Sequence, residues 1–352
     1  MEARPSRLIL NIAGAPQDMP AGLAAPQASA PSTIRFEDRS RIPFPGREIA
    51  GGASVLTAQS QCPFKAFAIA RLGAQSWEPA EAGLSAAQRG QLLHAALHSV
   101  WSGPPAGVRS HAELASVANL GAFVEEHVRA VLQEELPAAA RESMPRRYRE
   151  LEAIRLTAVV TEWLRYEITR APFLVESTEA ERSRTIAGLA VRLRLDRLDR
   201  LGDGTTLVID YKTGDVSPKL WELPRPDDVQ LPLYAGFALD HETEPLGGLV
   251  FAKVRAGKDC FVGRVFDAQG QLLPDLGSRS SLVANRLDID DLIGWRDYIE
   301  EMARNFINGR CEVDPRQYPE TCERCGLQTL CRIEEMQRQL DEDGDDSETD
   351  DA

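Results

Sequence analysis

Two aspartates and one lysine are the first residues of this chain whose types and spacing could support catalysis. Asp196 lies near the end of an alternating apolar and charged run, and Asp210 closes a β-branched run two residues before Lys212. Carboxylate oxygens are preferred ligands of Mg²⁺. A lysine beside them can position a water molecule or offset negative charge on a phosphate. An ordinary hairpin with charged ends also fits these residues, because Asp-x-Lys is a common sequence.

The segment that carries these residues is predicted to be a β-hairpin. Val191, Leu193 and Leu195 alternate with arginines, which is the period of a half-buried strand. Residues 206–211 are β-branched and apolar and form a second strand. A Gly-Asp-Gly turn at residues 202–204 joins the two. The hairpin would hold both aspartates on neighbouring rigid strands.

Periodic helical patterns lie on both sides of this hairpin. The predicted helices cover residues 83–101, 113–136, 146–170, 227–239 and 290–308. The predicted strands cover residues 173–184, 188–198, 206–211 and 246–254. Ser85 and Gln88 form a capping box at the start of the first helix. This order predicts a helical cap, a mixed α/β core and a final helix before a cysteine cluster.

The composition is that of a soluble globular protein, with 43% apolar and 27% charged residues in 352. No apolar run is long enough to span a membrane and no signal pattern opens the chain, so a cytoplasmic location is expected. Residues 1–52 are rich in Pro and Ala and are predicted to be a flexible arm. Residues 53–335 are predicted to form one domain, and residues 336–352 a disordered acidic tail.

Charge is distributed unevenly along the chain. The net charge is −14, but eight acids lie in residues 341–352, and without them the balance is −14 + 8 = −6. Residues 141–200 hold 13 arginines against 10 acids. A locally basic face is therefore compatible with a DNA substrate, whereas a purely electrostatic DNA binder is disfavoured.

Three of the six cysteines form a compact C-x2-C-x5-C pattern near the end of the chain. They are Cys322, Cys325 and Cys331. A tetrahedral metal site needs a fourth ligand, for which Cys62, Cys260 and Cys311 are the candidates. The spacing is compatible with a structural zinc ion and with an iron–sulfur cluster.

Taken together, the motifs resemble the PD-(D/E)XK nuclease domain of the RecB and AddB type, in the subset with an iron–sulfur staple. The resemblance covers about residues 54–332. In chain order it is carried by Cys62-Pro63-Phe64, Arg89-Gly90 with His94, Glu179, Asp196-Arg197 with Asp199, Asp210-Tyr211-Lys212-Thr213-Gly214, Gln230 with Tyr234, and Cys322, Cys325 and Cys331. It implies a restriction-endonuclease-like α/β core with a helical insertion and a C-terminal iron–sulfur staple.

The resemblance also implies a role for each of these residues. The Mg²⁺ or Mn²⁺ ligands would be His94, Asp196, Asp210 and the backbone carbonyl of Tyr211. The catalytic residues would be Asp196, Asp210 and Lys212, with Glu179 as a further acid. The DNA-positioning pair would be Gln230 and Tyr234, and the [4Fe–4S] ligands would be Cys62, Cys322, Cys325 and Cys331.

Several of these roles have alternatives. His94 could be an ordinary core histidine, or could pair with His98 one turn away. Glu176 or Glu181 could take the place of Glu179. Gln230 and Tyr234 could form the contact face of a helix.

The expected function is that of a metal-dependent deoxyribonuclease, an exonuclease acting in DNA repair or recombination. The chain has no GxxxxGK[ST] phosphate loop. It would therefore act alone or with a separate helicase subunit. The alternatives are a catalytically inactive, metal-stapled DNA-binding or assembly subunit, and a zinc-stapled regulatory protein.

Overall fold

The computed structural model describes residues 41–49, 51–76, 83–102, 106–136, 144–258, 260–266 and 286–335. Most of the predicted arm and the whole predicted acidic tail lie outside these ranges. Within them, no helix has both the length and the apolar character needed to cross a membrane.

Within the described residues, six strands form one mixed sheet. They are β1 (Glu48–Ile49), β2 (Phe173–Ile186), β3 (Leu189–Leu201), β4 (Thr206–Lys212), β5 (Leu246–Lys253) and β6 (Cys260–Val265). β3 pairs antiparallel with β2 and β4 and parallel with β1, while β5 lies parallel to β4 and antiparallel to β6. The predicted strands and the hairpin that carries the two aspartates are confirmed.

Among the described residues, six α-helices lie between β1 and β2 in the chain, and four follow β4. The helices are α1 (Ala53–Gln61), α2 (Pro63–Leu72), α3 (Ala86–Ser102), α4 (His111–Ala115), α5 (Leu120–Glu134), α6 (Arg146–Ile168), α7 (Gln230–Leu233), α8 (Ile289–Ile307), α9 (Glu320–Glu323) and α10 (Gln328–Cys331). The predicted capping box of α3 is present: the Ser85 N–H donates to Gln88 Oε1 at 2.9 Å, and the Gln88 N–H donates to Ser85 Oγ at 3.2 Å.

Two predicted helices differ from the structure. The helix predicted over residues 113–136 is divided into α4 and α5, because Asn119 caps α5 by accepting the Ala122 N–H at 3.1 Å. The helix predicted over residues 227–239 begins only at Gln230 and continues as a π-helix over Tyr234–Ala238.

Residues 41–49, which fall in the segment expected to be a flexible arm, contact the rest of the fold. The Phe44 N–H donates to the Ile307 carbonyl at 2.8 Å, and the Phe44 ring lies 5.2 Å from that of Phe306. Ile49 pairs with Val191 on β3. Residues 41–49 therefore belong to the domain, and their Pro- and Gly-rich composition concealed this because a two-residue strand has no readable periodicity.

The sheet separates two apolar cores. The first core packs α3, α5 and α6 on one face, and the second packs α1, α7 and α8 on the other. On β4, Ile209 and Tyr211 face the first core, whereas Val208 faces the second. Because side chains alternate along a strand, Asp210 and Lys212 point away from the first core, toward the side of α7. This places the end of β4 between α3 and α7.

Candidate active site

Asp210 and Lys212 at the end of β4 form one side of the site. Asp210 is only 1% exposed, and Lys212 Nζ lies 2.7 Å from its Oδ2. Lys212 also donates to Gln230 Oε1 at 3.2 Å, and Gln230 Nε2 donates to the Tyr234 hydroxyl at 3.1 Å. The Tyr234 hydroxyl in turn donates to the Arg194 carbonyl at 2.6 Å. The predicted Gln230–Tyr234 pair therefore connects the lysine on β4 to β3.

Asp196, Tyr211 and His94 form the other side. The Tyr211 N–H donates to Asp196 Oδ2 at 2.8 Å. His94, on α3, places Nδ1 3.3 Å from Asp196 Oδ2 and Nε2 3.0 Å from the Tyr211 carbonyl oxygen. Both imidazole nitrogens thus face oxygen acceptors, which favours the protonated ring. The structure brings His94, Asp196 and the Tyr211 carbonyl together as the resemblance implied.

Glu179 joins this group from β2. One donor atom each from His94, Glu179 and Asp196 lie within 4.8 Å of one another. Glu179 has φ +51°, an uncommon conformation for a residue other than glycine. It also accepts a hydrogen bond from Arg194 Nε. Strand β2 is therefore distorted at Glu179, the position that faces Asp196 on β3.

The alternatives for this acid and for the histidine pair have other neighbours. Glu176 accepts from Arg200 Nε at 2.6 Å, and Glu181 is exposed. His98 lies with Nδ1 2.7 Å from Thr178 Oγ1. Among the residues described, the structure does not bring His98 into a group of metal-binding side chains with His94.

Crowded carboxylates dominate the electrostatics of the site. Burial, together with the charge of Asp196, raises the pKa of Asp210 to about 7, against the lowering effect of Lys212. Burial and Asp196 likewise raise the pKa of Glu179. Burial opposes the charged forms of His94 and Lys212, but the surrounding acids outweigh it and raise the pKa of both. Negative charge gathered in this way is stabilised by a cation.

The donor set fits a divalent cation. Both carboxylate oxygens of Asp210 are buried; the Lys212 ammonium lies 2.7 Å from Oδ2, and among the described residues Oδ1 accepts no hydrogen bond. Buried carboxylates are normally satisfied, so such an oxygen indicates a group that binds an ion or ligand. Carboxylate and carbonyl oxygens with one imidazole suit Mg²⁺ or Mn²⁺. Asp210 is not part of the compact group formed by His94, Glu179 and Asp196, and lies beside it.

The site opens into a groove of about 1400 Å³. Elements α1, α2, α3, α5 and β3 line it, and His94, Glu179 and Asp196 are among its walls. Basic side chains along it are Lys65, Arg192 and Arg194. Basic and acidic side chains therefore both line the groove, with the group of His94, Glu179 and Asp196 inside it.

One groove residue was missed by the sequence analysis. Asp228 Oδ1 accepts the Gln230 N–H at 2.8 Å, and its charge is one of those that raise the pKa of Lys212. Its position two residues before Gln230 was the available signal, but a polar pair beside a proline also reads as an ordinary helix start.

The predicted cysteine ligands lie in two parts of the chain. Cys62 separates α1 from α2, and Cys322, Cys325 and Cys331 lie in or beside α9 and α10. Burial and then the charges of Cys62, Cys325 and Cys331 raise the pKa of Cys322 to about 11.

These sulfurs are less tightly grouped than the ligands of one zinc ion. Zinc–sulfur bonds of about 2.3 Å in a tetrahedron place sulfurs roughly 3.8 Å apart. No three cysteine sulfurs of the described residues lie within 4.8 Å of one another. Among the described residues, the cysteines are therefore not clustered at single-ion distances.

A sequence model of the PD-(D/E)XK nuclease superfamily matches residues 52–332. The chain belongs to the PD-(D/E)XK nuclease superfamily. Members of this superfamily are typically nucleases that use divalent metal ions, and the match spans both sides of the site described above. The mixed sheet with helices on both faces is consistent with the fold of the superfamily.

Other comparisons are weaker. The crystal structure of SSO0001 is similar at 15% sequence identity and a TM-score of 0.27, with 69% of this chain and 84% of that chain covered. No curated protein matches the chain significantly.

Proposed function

We propose that this protein is a Mg²⁺- or Mn²⁺-dependent deoxyribonuclease that hydrolyses DNA phosphodiester bonds. The observation that carries the proposal is the compact group of His94, Glu179 and Asp196 inside the groove, beside the Asp210–Lys212 pair. His94, Asp196, Asp210 and the Tyr211 carbonyl would hold the cation. Glu179 would be a further acid of the site.

The cation, when bound, supplies Lewis-acid charge to the phosphate and lowers the pKa of a water molecule. In hydrolysis the water gives up a proton to solvent as its oxygen forms a bond to phosphorus, the bond from phosphorus to the leaving sugar oxygen breaks, and that oxygen gains a proton from solvent. Lys212 carries its proton, because the neighbouring acids raise its pKa. Its ammonium group therefore orients water and offsets phosphate charge instead of acting as a base.

The groove supports a nucleic-acid strand as substrate. Lys65, Arg192 and Arg194 line it and can contact phosphates, which usually supply much of the affinity for DNA. Gln230 and Tyr234 line the same groove, and the hydrogen bonds that join them to Lys212 let them position both the lysine and the DNA. The resemblance to RecB- and AddB-type domains further supports exonuclease activity in DNA repair or recombination.

A cleavage assay on end-labelled DNA with Mg²⁺ tests this proposal. Asp210→Ala and Lys212→Ala should each lower the rate more than a hundredfold, since removing a ligand or charge of this kind costs about 3 kcal/mol of transition-state stabilisation. Asp215→Ala is the matched control, because Asp215 is exposed and pairs with Lys253. Near wild-type cleavage by the first two variants would overturn the assignment.

We also propose that Cys62, Cys322, Cys325 and Cys331 bind a [4Fe–4S] cluster. Besides burial, the charges of Cys62 and Cys325 raise the pKa of both Cys322 and Cys331, which supports this set. The family resemblance supports it as well. Cys62 precedes its partners by 322 − 62 = 260 residues. The cluster would therefore restrict a long loop of the unfolded chain and stabilise the fold.

The two ends are already connected without the cluster. The Phe64 N–H donates to the Glu312 carbonyl at 3.0 Å, and the Arg316 N–H donates to the Gln61 carbonyl at 2.7 Å. These hydrogen bonds place Cys62 next to the C-terminal segment, so the cluster would strengthen an existing contact.

Anaerobic purification of four variants tests the cluster. Cys62→Ser and Cys325→Ser should lose the brown colour and become sensitive to protease, whereas Cys260→Ser and Cys311→Ser should keep both colour and stability. A colourless wild-type protein that contains zinc would overturn the cluster. Retention of a full cluster by Cys62→Ser would refute the long-range staple.

A further inference from the structure

Four buried charged side chains lie beneath the candidate active site. They are Glu167, Arg170, Arg197 and Asp199, and none is more than 3% exposed. Arg197 donates to both oxygens of Asp199, at 2.6 and 2.8 Å, and to Glu167 Oε1 at 2.9 Å. Arg170 completes the set with Glu167 Oε2 and with Asp199 Oδ2 at 3.0 Å. Two positive and two negative charges therefore balance within the first core.

Aromatic rings enclose the two arginines. The Arg197 guanidinium lies 3.9 Å from the Trp101 ring centroid, and that of Arg170 lies 4.1 Å from Phe173. A buried ionic network is often no more stable than apolar residues of similar volume, because its groups lose their hydration. Stability alone is therefore a weak reason for this network. The planar guanidinium of Arg197, however, has fixed directions for its hydrogen bonds, so binding Asp199 and Glu167 at once fixes the position of Arg197 closely.

Arg197 reaches the active site through Tyr211. Its Nη1 donates to the Tyr211 hydroxyl at 3.2 Å. The backbone of Tyr211 contacts two members of the site: its N–H donates to Asp196 Oδ2 at 2.8 Å, and its carbonyl oxygen lies 3.0 Å from His94 Nε2. Arg197 also follows Asp196 directly in the chain. The network thus holds the tyrosine from its ring and the aspartate from its backbone.

The same arginine maintains an irregularity of β3. Leu195 belongs to the second core, whereas Arg197 packs against Trp101 of the first. Residues two apart in a regular strand face the same side, so the alternation breaks at Asp196. On β2, Glu179 lies between Thr178, which pairs with Arg197, and Ala180, which pairs with Leu195, and it has φ +51°. Such a distortion persists only where the surroundings hold it, and the buried network provides that support.

We propose that Arg197 is a positioning residue for the cation site, acting through Tyr211 and Asp196. This inference rests on the proposed function, since it assigns a purpose to the network beneath that site. The effect should appear in the affinity for the cation. Partners that orient metal ligands typically change metal affinity or activity about 10- to 100-fold when they are replaced.

Direct measurement of Mn²⁺ binding in the absence of DNA, by electron paramagnetic resonance of the free ion, is the test. Tyr211→Phe removes one hydroxyl and leaves the four charges in place, and it should weaken Mn²⁺ binding about tenfold. Arg197→Lys keeps the charge but cannot reach three partners at once, and it should weaken binding more. Saturating Mn²⁺ should restore most of the DNA cleavage by Tyr211→Phe.

Matched controls come from the second core and the far edge of the sheet. Tyr298→Phe removes a hydroxyl that lies 2.9 Å from Ser60 Oγ, and Arg264→Lys changes an arginine paired with Asp291 at 2.7 Å. Both should bind Mn²⁺ like the wild type. Thermal melts of metal-free protein establish folding, and if Arg197→Lys is unfolded, Tyr211→Phe decides the matter.

The outcomes separate the two proposals. If the wild type binds Mn²⁺ and cleaves DNA while Tyr211→Phe has unchanged affinity, the network is only structural and this inference alone is wrong. If Tyr298→Phe weakens binding as much as Tyr211→Phe, the specific route through Tyr211 is refuted. If the wild type itself binds no Mn²⁺, the proposed function fails and the inference fails with it.

Discussion

Replacing Asp210 with asparagine should stabilise the metal-free protein while abolishing its activity. Asp210 is buried, its Oδ1 accepts no hydrogen bond from the described residues, and its neighbour Asp196 adds like charge. The folded state therefore disfavours the ionised carboxylate even with Lys212 at 2.7 Å. An amide has nearly the same shape and cannot ionise, so the substitution removes this cost.

The magnitude and its pH dependence follow from the raised pKa. The pKa of Asp210 is about 7 in the folded protein against an ordinary 3.8, so between these values the folded state holds a proton that the unfolded state has lost. Stability contributed by this group therefore falls as pH rises through that interval. At about 1.36 kcal/mol per pH unit, the wild type loses about 4 kcal/mol by pH 8 relative to pH 4. Asp210→Asn should recover that amount at pH 8 and gain nothing at pH 4.

Urea denaturation in the presence of a chelator, at pH 8 and near pH 4, measures this difference. Asp199→Asn is the contrasting control, because the same chemical change there breaks a paired buried network and should destabilise the protein by about 3–5 kcal/mol. The explanation is refuted if Asp210→Asn is no more stable than the wild type at pH 8, or if its gain is the same at both pH values.

Three further predictions concern other parts of the molecule. Mn²⁺ affinity should weaken as pH falls, by up to about tenfold per pH unit for each proton displaced, because the acids around His94 raise its pKa and a bound cation competes with protons there. Calorimetry at pH 6, 7 and 8 would show this weakening, and a flat profile would contradict it. Gly52→Ala should destabilise the protein strongly, since Gly52 has φ +47° and an added Cβ would lie 2.0 Å from the Arg192 carbonyl oxygen. Gly214→Ala is the control, because an added Cβ there meets nothing within 4 Å. Equal melting temperatures for the two variants would show that Gly52 does not pack closely against Arg192 of β3. Deletion from Asp341 onward removes eight acids and should raise DNA affinity at low salt without loss of cleavage. Filter binding at two salt concentrations measures the affinity, and the cleavage assay measures the activity. A loss of activity would show that the tail has a role other than its charge.

Local sequence patterns determined the parts of this protein that depend on near neighbours. The alternation of Val191, Leu193 and Leu195, with the turn at residues 202–204, was enough to predict the hairpin that carries Asp196 and Asp210. The capping box at Ser85 was enough to place the start of α3. Each of these features involves residues close in sequence, so composition and spacing contain the necessary information.

Long-range geometry decided the rest. His94 became a candidate ligand through family resemblance, and only the packing of α3 on the sheet brings it within 3.0 Å of the Tyr211 carbonyl oxygen. The regular pattern of β3 predicted no break in alternation. Arg197 nevertheless points into the first core, because it donates hydrogen bonds there to the carboxylates of Glu167 and Asp199. The φ of +51° at Glu179 is likewise invisible in a run of strand-forming residues. Buried charges and strained backbone are stable only when distant parts of the chain surround them, and tertiary structure alone provides those surroundings.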